Sequence, residues 1–174
     1  SENKVRDYRK MHLQNILFRE KGLGNFRDLT IAVAKDPAML SFLDAGRNIK
    51  GSPNENFARE VMELFTMGVG NYTENDIREA ARAFTGWNFS DLDFVVNKNQ
   101  HDEGVKNIFG TQKNYNGVEV IDLILEQKIT AQYIAEKLYK YFVNQKVSAE
   151  MKIKLGNLLY RSKYEIRPFL RTIF

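Results

Sequence analysis

At 174 residues, with 43% apolar and 28% charged side chains, the chain is sized for one domain that buries roughly 70% of its unfolded surface. It contains no cysteine, which excludes disulfides, thiolate metal centres and cysteine nucleophiles, and no apolar run comes near the ~18 residues needed to span a bilayer. The net charge of +4 is lopsided: residues 137–174 hold nine Lys/Arg against two Asp/Glu, dispersed along amphipathic helices as on a solvated face and not clustered as a nucleic-acid or lipid surface requires.

The chain opens Ser-Glu-Asn-Lys, which reads as an internal cut of a longer protein and not as a signal peptide. Residues 4–21 carry a helical period with Val5, Tyr8, His12 and Ile16 on one face, so His12 is expected as a packed, hydrogen-bonded histidine and not as a ligand. Gly22 and Gly24 end this helix. A short helix follows over 26–34, and Asp36-Pro37 supplies the cap and first-turn proline of a third that reaches about Asp44. The polar stretch from Gly46 to Gly51 is a loop.

Ser52, Pro53 and Glu55 predict a capping box with proline at the first helical position, opening a helix whose apolar face is Phe57, Val61, Leu64 and Phe65 and which Gly68 stops. Thr73 and Asp76 cap the next helix, whose stripe is Ile77, Ala80, Ala81 and Phe84; the alanines are small enough for the two helices to close as an antiparallel hairpin. On the polar flanks, Asn56, Glu60 and Glu63 fall together with Arg59 beside them. Arg78 and Arg82, four apart, repel unless acidic partners or a bound anion balance them. Two readings stand side by side, a ligand site or interhelical ion pairs that fix register.

After Trp87 the period changes. Asp93 to Gln100 and Lys106 to Phe109 predict two short strands joined by Asp102-Glu-Gly-Val, with glycine for the positive-φ position. His101 and Asp102 open that turn and Lys106 follows it. A histidine beside a carboxylate suits general-base work or metal binding, and equally suits solvent-facing turn chemistry. Trp87 is either a pocket wall or core. The remainder is helical. Asn116 and Glu119 box a helix to about Glu126, and Thr130 caps one with Ala131, Ile134, Leu138, Tyr141 and Phe142 inward. Ser148 caps another with Met151, Leu155, Leu158 and Leu159 inward, and Pro168 stands early in a last segment whose apolar ending suggests a chain that continues. The expected fold is mainly α: a multi-helix, bundle-like single domain over 1–174, a fragment of a longer protein, with one small β-hairpin near 93–109.

The run S-P-N-E-N-F-A-R-E-V-M-E-L-F-T-M-G-V-G-N-Y-T-E-N-D-I-R-E-A-A-R-A-F-T-G-W, with the later H-D-E-G-V-K-N-I-F-G and the earlier G-N-F-R-D-L and D-P-A-M-L, resembles the signature of a bacterial family known as domain of unknown function 1800. The resemblance runs through most of the chain. It implies exported bacterial proteins that are longer at the N-terminus, with an upstream histidine-containing segment that would pack against this part and share any site with it. It implies no activity. It does add weight to His101, Asp102, Gly104 and Lys106, which all stand in the matching motif.

Three functions compete. In a hydrolase, with or without a divalent metal, Glu60, Glu63, His101 and Asp102 would carry the catalysis, while Asn56, Arg59, Arg78, Arg82, Trp87 and Lys106 would hold an anionic substrate. No residue is assigned as a metal ligand and no cofactor is assigned: the chain has no Glu-x-x-His pair, no G-x-S-x-G elbow, no P-loop and no G-x-G-x-x-G. In a non-catalytic binding or scaffold domain, the same charges hold the helix pair and the hairpin in register. Nucleic-acid binding through the central pair is disfavoured, because Glu74, Asp76 and Glu79 outnumber Arg78 and Arg82 on the helix that would read the groove. The first two readings part on whether Glu60 or Glu63 converges with His101 or Asp102.

Overall fold

The computed structural model describes residues 5–174; residues 1–4, which hold the chain opening and the first residue of the first predicted helix, lie outside the described residues. Among the described residues the protein is mainly α, with two small antiparallel hairpins in the middle of the chain. Helices α1 (Tyr8–Lys21), α2 (Phe26–Ala34) and α3 (Pro37–Phe42) precede α4 (Asn56–Glu60), which runs on as a π-helical segment over Val61–Thr66. After α5 (Glu74–Ala83) come strands β1 (Trp87–Ser90), β2 (Asp93–Val96), β3 (Lys106–Ile108) and β4 (Thr111–Lys113). Helices α6 (Gly117–Glu126), α7 (Lys128–Phe142), α8 (Ala149–Arg161) and α9 (Ile166–Ile173) complete the chain. No helix among the described residues is long and apolar enough to cross a membrane.

Helix starts follow the local chemistry expected of them in most places. The Asp36 carboxylate accepts from Met39 N, Ser148 Oγ from Met151 N, and both the Thr73/Asp76 and Asn116/Glu119 capping boxes are closed in each direction. Two predicted caps are not used. Ser52 and Pro53 stay outside the helix, which begins at Asn56 with Asn54 Oδ1 accepting from Asn56 N at 3.0 Å. Asn54 is itself held by Asn48, whose Oδ1 takes Asn54 N at 2.9 Å, so a tertiary contact decides where the helix opens. Thr130 lies inside α7, and its buried hydroxyl donates to Ile124 O at 2.6 Å.

The core is one cluster centred on α4, α5, β1 and α6. Phe84 and Trp87 meet edge-on at 5.0 Å, Phe57 and Phe84 at 5.1 Å, and Trp87 and Phe94 at 5.0 Å. The buried face of α5 is Ile77, Ala80, Ala81 and Ala83, close to the predicted stripe. Elsewhere the predicted faces rotate. Helix α1 buries none of its residues: Tyr8 is 80% exposed, His12 is exposed, and the half-buried side is Lys10, Gln14 and Leu17. That side docks through polar contacts, with Gln14 Nε2 donating to Asp36 at 2.7 Å and Lys10 Nζ 3.8 Å above the Phe89 ring. On α7, Ala131, Ile134 and Ala135 are buried but Tyr141 is 81% exposed.

The strands at 93–96 and 106–108 exist but do not pair with each other, which corrects the predicted hairpin. Strand β2 folds back onto β1 through Ser90↔Asp93, and β3 pairs with β4 through Ile108↔Thr111. The second turn is Phe109-Gly110, both at positive φ (50° and 79°), as a two-residue type I′ turn demands. A phenylalanine in that region is rare, which is why the sequence pattern placed the turn at Gly104 instead.

Candidate functional site

Helix α5 presents two different flanks. Beside its apolar stripe, Asp76, Glu79 and Arg82 recur every three residues and line up as a polar rail, one residue per turn. The rail faces the side of β3 that β4 leaves unpaired. Asn107 N donates to Glu79 Oε2 at 2.8 Å, Phe109 N donates to Asp76 Oδ1 at 2.8 Å, and Arg82 Nη1 donates to Val105 O at 3.1 Å. Two carboxylates and one guanidinium thus occupy the open edge as a neighbouring strand would.

Arg82 is also the hub of the charged groups. Its Nε donates to Asp102 Oδ2 at 2.8 Å and its Nη2 to Asp102 Oδ1 at 3.3 Å, while Nη1 reaches both Glu79 oxygens at 3.0 Å. The three side chains are only 25%, 16% and 15% exposed. The Asp102 backbone N–H donates to Thr85 Oγ1 at 2.7 Å, and Gly104 N donates to Asp102 Oδ1 at 2.8 Å. His101 Nδ1 lies 2.8 Å from Thr85 O. A carbonyl can only accept, so Nδ1 carries the hydrogen, and in the neutral ring Nε2 holds the lone pair. Lys106 is fully buried, its Nζ donating to Asp102 O and, at 2.7 Å, to Asn114 Oδ1.

The electrostatics follow from these contacts. The Arg82 hydrogen bond holds the Asp102 carboxyl below the usual aspartate range, against the opposing effect of burial. Burial pushes the Lys106 ammonium below the ordinary lysine value, with the Asp102 charge acting the other way. Because the folded pKa of Asp102 is depressed, its contribution to stability is complete above the unfolded value of ~3.9 and is lost as pH falls through the folded value. Urea titrations between about pH 5 and pH 2 are therefore expected to show stability declining on acidification, with a shallower decline in Asp102→Asn. An identical acid limb in wild type and variant would contradict this. Lys106 gives a slope of the same sign at the alkaline end: its buried charge is a cost that fades as pH climbs toward ~10.4, so stability rises with pH there too.

The predicted site residues divide into separate groups. Arg82, His101, Asp102 and Lys106 converge. Arg59 instead bridges Glu74, at the exposed start of α5, at 2.7 Å and Glu55 at 3.1 Å, and Arg78 stands 3.9 Å from Glu55. That start lies two turns, about 12 Å, from Arg82. Burial raises the Tyr72 pKa, and the neighbouring Glu63 carboxylate raises it further. Asn56 Nδ2 donates to Leu43 O at 3.1 Å. The Glu60 side chain is half-buried and makes no hydrogen bond or ion pair among the described residues. Trp87 is core, 4% exposed. No hydrogen bond or ion pair joins Glu60 or Glu63 to His101 or Asp102 among the described residues; Asp102 is tied to Arg82 on α5, and both His101 and Asp102 to Thr85 just after it. No group of three or more His, Asp or Glu side chains among the described residues is placed to hold a metal ion.

Sequence reasoning passed over Asp76 and Glu79 as site residues, although D-x-x-E-x-x-R was there to find. It also missed Thr85 and Asn48. The Asn48 side chain is 2% exposed and donates to Ala81 O at 2.7 Å, at the end of α5 that carries Arg82. Nothing local marks Asn48, because its partner stands 33 positions away.

The sequence model of a family described as "Protein of unknown function (DUF1800)" matches residues 1–174. No curated protein and no solved structure matches the chain.

Proposed function

The chain belongs to the DUF1800 family, proteins of unknown function, and from that premise we propose that this part of it is a non-catalytic binding or scaffold domain whose charged cluster is a structural clasp. One observation carries this reading: the carboxylates that meet Arg82 are already engaged within the protein. Both oxygens of Asp102 and of Glu79 accept hydrogen bonds inside the protein, and the Lys106 ammonium is sealed from solvent. A general acid or base needs an unused lone pair or proton within reach of substrate. A clasp needs the opposite, and breaking it leaves half-buried charges unpaired.

His101 favours the competing, hydrolytic reading, since Thr85 O fixes its tautomer and leaves Nε2 as an acceptor. One experiment separates the two. Wild type, His101→Ala and Glu60→Gln are screened against ester, phosphoester and peptide substrates with and without Mg²⁺, Mn²⁺ and Zn²⁺, alongside thermal melting. The expected result is no turnover that depends on either residue, with Asp102→Asn lowering Tm by several degrees. Turnover abolished by His101→Ala in a protein of unchanged Tm would overturn the proposal.

A further inference from the structure

A cleft of about 260 Å³ opens between α2, the π segment and α7, lined among others by Phe26, Leu29, Val33, Val61 and Phe65. Its polar content is small. The Thr30 hydroxyl in its wall already donates to Phe26 O at 2.7 Å, so it offers a ligand little. The other polar group is Lys137. This ammonium is exposed at the lip, 3.2 Å from Leu64 O and 4.6 Å from the centre of the Tyr133 ring, and it has no ion pair among the described residues. One of its three donors is used, and the others have no acceptor among the described residues.

The π segment shapes the same place. Met67 N bonds back to Met62 O at 2.8 Å and the Thr66 hydroxyl to Val61 O at 2.6 Å, so the turn widens by one residue. The widening takes Leu64 off the core face that a regular helix predicts for it and leaves it 51% exposed beside Lys137. A costly local geometry thus sits where the cleft meets Lys137, and such segments occur frequently at functional sites.

We propose that this cleft binds a medium-chain aliphatic carboxylate, the chain lying among the apolar side chains and the carboxylate meeting Lys137. The volume sets the length. A cavity of ~150 Å³ accommodates benzene, so 260 Å³ corresponds to about ten carbon atoms. The charge sets the head group, since an apolar slot that ends at an ammonium with no ion pair among the described residues is complementary to an anion on an apolar tail. The inference uses none of the residues of the charged clasp, so it can fail or succeed independently of that reading.

The test is calorimetric titration of the whole chain with sodium decanoate and with 1-decanol. Decanoate is expected to saturate a single site. Lys137→Met, at an exposed position, is expected to weaken decanoate at least tenfold and leave 1-decanol within twofold. Val33→Phe, which fills the slot, is expected to abolish both. Hexadecanoate is expected to bind no more tightly than decanoate. No saturable binding up to 1 mM decanoate, equal losses for acid and alcohol in Lys137→Met, or retained binding in a folded Val33→Phe would each overturn the proposal. If Val33→Phe does not fold, the Lys137→Met comparison decides alone. A concentration-dependent dimer dissolved by Val33→Phe would assign the cleft to a second copy of the chain and overturn it as well.

Discussion

Arg82→Ala is expected to lower unfolding free energy by about 3 kcal/mol, which for a chain of this size is a fall in Tm of roughly 6–12 °C. The magnitude comes from what the truncation leaves behind. Asp102 and Glu79 would remain 16% and 15% exposed without their counter-charge, and Val105 O would lose its donor. Because Arg82 spans two carboxylates and a carbonyl with a planar fork, Arg82→Lys is expected to recover less than half of the loss. A double-mutant cycle with Asp102→Asn is expected to return a coupling of about 1.5–3 kcal/mol. A loss below 1 kcal/mol for Arg82→Ala would mean that the cluster is solvated and holds nothing together.

The second large effect is expected at Gly86, where alanine would cost about 3–4 kcal/mol from two independent causes. Gly86 has φ +79°, a left-handed conformation that costs a non-glycine residue ~1–2 kcal/mol. A Cβ there would also stand 2.5 Å from Asn97 O and 3.2 Å from His101 N, both backbone atoms that cannot swing aside. Gly110 is the control. Its φ is also +79° but a Cβ would meet nothing within 4 Å, so Gly110→Ala is expected to cost only the conformational part, about 1–2 kcal/mol. Equal losses at the two positions, measured by urea unfolding, would show that close packing at Gly86 adds nothing. The site explains the tightness: Gly86 joins Thr85, which anchors His101 and Asp102, to Trp87 in the core.

Both predictions turn on contacts that no local pattern announces. Asp102 lies 20 positions from Arg82, and Phe109 lies 33 from Asp76. The sequence reading did bring Arg82, His101, Asp102 and Lys106 to one list of candidates, because charged residues at a change of period stand out. It grouped Arg78 with Arg82 on spacing of four, whereas the fold separates them. Arg78 reaches toward Glu55, and Arg82 belongs to a row spaced by three. Burial was misjudged for the same reason. Leu64, Tyr141 and Ile16 fit helical stripes, yet each is exposed, since a stripe is buried only where another element covers it.

What the sequence determined by itself is the set of local decisions: the mainly helical class, the predicted side-chain caps at Asp36, Thr73, Asn116 and Ser148, and the breaks at glycine. Each is settled within about four residues, where side chain and backbone meet whatever the rest of the chain does. What only the tertiary structure decided is which strand pairs with which, where α4 opens, and which carboxylate each cation takes. Those choices compare partners tens of residues apart, and side chains that are interchangeable in a pattern differ in energy only once packing has fixed their distance and removed the water between them.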